Sequence, residues 1–163
     1  MKPAARPTSA DDVLVLGVGN PLMGDDGVGI KVVEMLKEMD LPENVTVEEA
    51  GLPGWGLASW FENRSEVLIV DAVRMGLAPG SWRCLDPDEF QVIMEENSLS
   101  LHQGDLACGL ALSQALDMLP PKLRIYGIEP ASLDPGAGLS PEVSASLEAF
   151  VTKISEDIEK KTA

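Results

Sequence analysis

The chain is poor in histidine, cysteine and positive charge, and each scarcity removes a class of function. Its single histidine, His102, cannot furnish an HExxH zinc site or a three-histidine metal cage, which need more than one imidazole. A serine triad would have to use His102, yet no GxSxG elbow is present to expose a serine nucleophile. Cys108 follows His102 by six residues, which is about 240° around a helix at 100° per residue and puts the two on different faces, against a cysteine protease. The other cysteine, Cys84, is distant, and no CxxC occurs, which excludes a zinc ribbon and a thioredoxin-type centre. Set among apolar residues, both cysteines are expected to be buried, reduced thiols. Only 12 basic residues stand against 27 acidic ones, a net charge of −15. That balance excludes the basic surface that nucleic acid requires, and an anionic membrane equally. No apolar run approaches the roughly 18 residues of a membrane span, and the first twelve residues, MKPAARPTSADD, lack the apolar region of a secretion signal. A cytoplasmic protein is expected, with a loose tail over 1–12 and one domain over 13–163.

What the chain does contain is concentrated between Val13 and Gly29, VLVLGVGNPLMGDDGVG. Val13-Leu14-Val15-Leu16 reads as a strand buried on both faces. Gly17 and Gly19 permit a tight turn, and Val28, Val32, Met35, Leu36 and Met39 then recur with helical period. A dinucleotide-binding fingerprint fits poorly, although Glu48 or Glu49 could mimic its ribose-binding acid. Leu22 occupies the third glycine position, and Asp25 and Asp26 put negative charge where a pyrophosphate would dock.

Further strands are expected at Val45–Glu49, Val67–Asp71, Ser81–Leu85 and Leu123–Glu129, and helices at Gly27 to about Met39, Trp55–Asn63, His102–Met118 and Pro141 to about Glu159. Ser140 caps the last helix, Pro141 opens it, and Val143, Leu147, Phe150, Ile154 and Ile158 form its apolar stripe. This alternation predicts an α/β, single-domain three-layer sandwich with a mostly parallel twisted sheet flanked by helices. The strand after Pro79-Gly80 is expected to pair antiparallel with the one before it. If the first three strands take the order 2-1-3, Asp26 and Asp71 meet at the switch point, beyond the carboxyl ends of the strands.

Ser100-Leu101-His102-Gln103 matches a capping box, which sets His102 in the first turn of a helix, where the dipole favours neutral imidazole. Two carboxylates and one imidazole suit a first-row divalent ion with open positions. Each residue alone also has a plainer role: helix cap for Asp25 or Asp26, loop hydrogen bonder for Asp71, capped surface residue for His102. The residues by themselves leave both readings open.

GVGNPLMGDDGVG resembles the opening motif of the hydrogenase maturation endopeptidases. VLIVDAVRMGLAPG followed by LDPDEF resembles that family's second block, SLHQGDLACGL its histidine segment and YGIEP its late strand block, in order from about Val13 to Ile158. The resemblance implies that Asp26, Asp71 and His102 are both metal ligands and catalytic residues, with Asp25 a supporting neighbour. It implies removal of the C-terminal extension from a hydrogenase large-subunit precursor into which nickel has already been inserted. The partner is then that precursor, the nickel is supplied by it, zinc or another divalent ion remains an alternative, and the protein is expected to be a monomer. Where the family often has Asp-Gly-Gly, this chain has Glu49-Ala50-Gly51, a departure that bears on which precursor is accepted. Attack by metal-activated water and base catalysis by a carboxylate on free water stand side by side. So do two other functions: a metal-sensing accessory or chaperone of hydrogenase assembly, and an aminopeptidase-like enzyme with resident zinc.

Overall fold

The computed structural model of the chain describes residues 12–97 and 104–162. Residues 1–11 of the expected tail, and the segment with Ser100, His102 and Gln103, lie outside the described residues.

Strands β1 (Val13–Val18) and β3 (Glu66–Ala72) are buried at every position, as strands covered on both faces must be. With β2 (Val45–Gly51), β4 (Trp82–Leu85) and β5 (Lys122–Ile128) they form one sheet of order β2-β1-β3-β5-β4. The pairs β1/β2, β1/β3 and β3/β5 are parallel. The expected 2-1-3 order is therefore present, and the switch point lies between β1 and β3.

Alternation along β1 divides the core. Val13 and Val15 face helices α1 (Val28–Lys37) and α5 (Pro141–Thr162). Leu14, Leu16 and Val18 face the opposite layer, made by α2 (Leu57–Phe61), α3 (Pro87–Glu96) and α4 (Gly104–Ala115). The three-layer sandwich follows from this period of two. Helix α5 begins as its sequence dictates: the Val143 N–H donates to Ser140 Oγ at 3.3 Å, and the stripe from Val143 to Ile158 is buried.

Three expectations need correction. Strand β4 is antiparallel, but its partner is β5 and not the preceding β3. Strand β5 enters between them as the parallel neighbour of β3, and the nine-residue connection 73–81 carries the chain across its end. Helix α3 was not expected from the sequence, although Asp86-Pro87-Asp88-Glu89 is a complete start signal. The Glu89 N–H donates to Asp86 Oδ1 at 2.8 Å, the Asp86 N–H donates to Glu89 Oε2 at 3.0 Å, and Pro87 opens the helix. Lastly, Cys84 and Cys108 are exposed, not buried. Strand β4 is the sheet edge, and Cys108 lies off the α4 face that buries Leu106 and Leu110.

Candidate active site

Close backbone packing places the two acids. A Cβ at Gly29 would lie 2.3 Å from the carbonyl oxygens of both Val18 and Val70, and one at Gly17 would lie 2.6 Å from the Gly29 carbonyl oxygen. Helix α1 can therefore rest on β1 and β3 backbone to backbone. That seating brings the buried 3-10 turn Gly24–Gly27 over the ends of the two strands. At Gly19, which has φ +132°, a Cβ would meet the Asp26 carbonyl oxygen at 1.9 Å and Asp71 Oδ1 at 3.5 Å. The glycine turn, the backbone of Asp26 and the side chain of Asp71 thus converge on one point.

The adjacent acids of the motif have different tasks. Asp25 is fully buried and accepts three backbone N–H donors: Ala131 at 2.8 Å and Ser132 at 3.1 Å on Oδ2, and Ser140 at 2.7 Å on Oδ1. It ties the turn to the loop before α5. Asp26, 5 % exposed, accepts the Asn20 N–H on Oδ2 at 2.8 Å. Asp71, 4 % exposed near the end of β3, has an Oδ1 with no hydrogen-bond partner among the described residues. Burial, and then the charge of Asp26, push the Asp71 carboxyl well above the usual carboxylate range. The Ala72 N–H opposes the shift, and the charge of Asp105 adds to it.

Asp105, in the first turn of α4, was not singled out in the sequence, where it reads as an acid favourable to the helix dipole. Its Oδ2 accepts the Gly54 N–H at 3.1 Å, fastening the loop after β2 to α4. Glu129 was also missed: its Oε2 accepts the N–H groups of Met75 at 2.6 Å and Leu77 at 3.4 Å, fixing the connection after β3. Neither contact has a local sequence signal, because the partners are more than 50 residues apart.

Asp26 and Asp71 are therefore brought together, and His102 lies outside the described residues. Among the described residues no group of three or more His, Cys, Asp and Glu side chains is arranged to hold a metal ion. Two neighbouring carboxylates, one with an oxygen unsatisfied among the described residues and a raised pKa, are able to accept a proton or to supply oxygen ligands to a divalent ion.

Comparison with known proteins gives concordant results. The sequence model of the hydrogenase maturation protease family matches residues 30–157. The Hydrogenase 2 maturation protease of Escherichia coli K12 is 35 % identical over 144 residues, covering 87 % of each chain. The solved hydrogenase maturating endopeptidase HybD from E. coli superposes with a TM-score of 0.80 at 33 % identity, over 91 % of this chain and 93 % of that one. The NiFe hydrogenase maturation protease HybD from Thermococcus kodakarensis gives a TM-score of 0.68 at 30 % identity, over 90 % and 99 %.

Proposed function

Because the chain belongs to the hydrogenase maturation protease family, we propose that it is the endopeptidase that removes the C-terminal extension of a nickel-loaded hydrogenase large-subunit precursor, with Asp26, Asp71 and His102 as its working residues. The observation that carries the site assignment is Asp71 Oδ1, buried at the end of β3 with no hydrogen-bond partner among the described residues. A buried carboxylate oxygen without a donor is unfavourable for the fold alone, and it suits a cation or a proton that arrives with the substrate.

In this reading the nickel is cargo, held by the precursor's cysteines, and the two carboxylates and the imidazole complete its coordination. His102 precedes Asp105 by three residues in the chain, and Asp105 is close enough for its charge to act on Asp71. A divalent ion placed there supplies Lewis acidity to peptide hydrolysis. The chain's own contribution is to orient the scissile bond across the switch point and to move a proton. Water adds to the carbonyl carbon, its proton passes to a carboxylate of the Asp26–Asp71 pair and then to the departing amine, and the C–N bond breaks.

The proposal includes a monomer acting in the cytoplasm. Among the described residues no helix is long and apolar enough to cross a membrane. The test mixes the protein with nickel-free and nickel-loaded large-subunit precursor and follows the C-terminal fragment by mass spectrometry. Cleavage of the loaded form alone is expected. Equal cutting of both forms would sink the dependence on nickel, and cutting of neither by folded protein with its matched precursor would sink the endopeptidase assignment.

A further inference from the structure

Large apolar side chains stand in solvent on the loops after β1 and β2. Leu22 is 73 % exposed, Leu52 55 % and Trp55 72 %. They lie on the loops that leave the carboxyl ends of the neighbouring strands β1 and β2, and the Gly19 N–H donates to the Gly51 carbonyl at 2.8 Å, joining the two loops at their roots. An exposed tryptophan is unfavourable in water, and tryptophan is over-represented among residues that anchor interfaces.

These side chains sit on fixed backbone. The Leu22 N–H donates to Asn20 Oδ1 at 3.0 Å, and the Leu22 carbonyl accepts the Gly136 N–H at 2.9 Å. Trp55 is held through its neighbours: the Gly54 N–H donates to Asp105 Oδ2 at 3.1 Å and the Gly56 N–H to the Pro53 carbonyl at 2.8 Å. Gly54 has φ +46°, a left-handed conformation that the Asp105 contact accompanies. Behind it, a Cβ at Gly109 would lie 2.6 Å from the Gly54 carbonyl oxygen, so α4 and the loop are in backbone contact. A surface ordered before binding loses less entropy when it binds.

We propose that Trp55, with Leu22 and Leu52, forms a specificity rim that takes an apolar stretch of the precursor polypeptide adjoining the cleaved bond, and that Asp105 is the positioning residue that latches this rim to α4. The inference rests on the endopeptidase reading for the identity of the partner. Its physical ground is separate: in a chain of net charge −15, three large uncharged side chains are exposed on loops tied to each other and, through Gly54, to Asp105. Asp105 touches no reacting atom in this account. It acts through Gly54 on the placement of Trp55.

The experiment compares wild type with Trp55→Ala, Trp55→Phe, Asp105→Ala and Asp105→Asn. Binding of nickel-loaded precursor is read by biolayer interferometry, and cleavage by mass spectrometry as separate kcat and KM. Trp55→Ala and Asp105→Ala are expected to raise Kd and KM about tenfold, and Trp55→Ala to change kcat by less than about twofold. Phenylalanine retains an apolar ring, and asparagine retains the oxygen that accepts the Gly54 N–H, so both should bind within about twofold of wild type. Unchanged Kd and KM in Trp55→Ala, whose exposed side chain is not needed for folding, would overturn the rim. Loss of affinity in Asp105→Asn equal to that in Asp105→Ala would overturn the latch, because charge and not the hydrogen bond would then be responsible. Wild type that binds precursor without cutting it would defeat the endopeptidase reading while the Kd series still decides the rim. Wild type that does not bind at all would overturn the rim.

Discussion

Replacing Asp71 by asparagine should make the metal-free protein more stable while abolishing its activity. The carboxylate is buried, one oxygen lacks a donor among the described residues, and Asp26 repels it. Leaving a buried polar group unsatisfied costs about 1–3 kcal/mol, more when it is charged. Asparagine keeps the shape and removes the charge, so a gain of about 1–3 kcal/mol is expected at neutral pH, or roughly 2–10 °C in Tm for a chain of this size. The pH dependence fixes the cause. The folded-state pKa of Asp71 is raised above that of the unfolded chain, so the stability linked to this group is fully present below the unfolded value, about 3.9, and is lost as pH rises through the folded value. The advantage of Asp71→Asn over wild type should therefore be large at pH 7.5 and shrink towards pH 4. Urea unfolding of both proteins in chelator, followed by circular dichroism at the two pH values, measures it. A variant less stable than wild type at pH 7.5, or an equal difference at both, would refute the argument that an unpartnered carboxylate strains this site.

Other outcomes follow from the same structure. Asp25→Ala should lose about 3–5 kcal/mol in urea unfolding, because three backbone donors lose a charged acceptor; a loss below about 1 kcal/mol would show that the turn is held by other means. Gly29→Ala drives a Cβ to 2.3 Å from two carbonyl oxygens, so its Tm should fall by the equivalent of about 3 kcal/mol or more. A thiol reagent should label both Cys84 and Cys108 in the native protein, since both are exposed, and cleavage of precursor should survive, since neither is assigned to the chemistry. Inactivation by labelling at Cys108, with no loss in the Cys108→Ala variant, would indicate steric blocking near α4, whereas loss of turnover in Cys108→Ala at unchanged stability would revive a cysteine mechanism.

Much of the architecture was legible because it rests on local signals. Continuous apolar runs marked β1 and β3, and the Ser140-Pro141 start marked α5. The meeting of Asp26 and Asp71 followed from strand order, a rule about sheets and not about either residue. What could not be read was non-local. Nothing near Ser81–Leu85 says that β5, some 40 residues later, will take the place beside β3. The exposure of Cys84 depends on β4 being the edge strand, which is the same unreadable fact. Helix α3 differs: its start is a local signal, the capping box Asp86–Glu89 with Pro87 at the first helical position, and it is legible in the sequence.

Motif residues that look alike serve opposite ends, and burial alone does not separate them. Asp25 and Asp26 are adjacent and both buried. Asp25 has backbone donors on both oxygens from the loop before α5, which is how a carboxylate stabilises a fold. Asp71 lies opposite Asp26 with an oxygen that no group of the described chain satisfies, which is how a fold retains capacity for a ligand. Gly19 links the two arrangements. Any side chain there would collide with the Asp26 backbone and come into contact with Asp71 Oδ1, so the glycine that permits the turn also borders the oxygen that no described group satisfies.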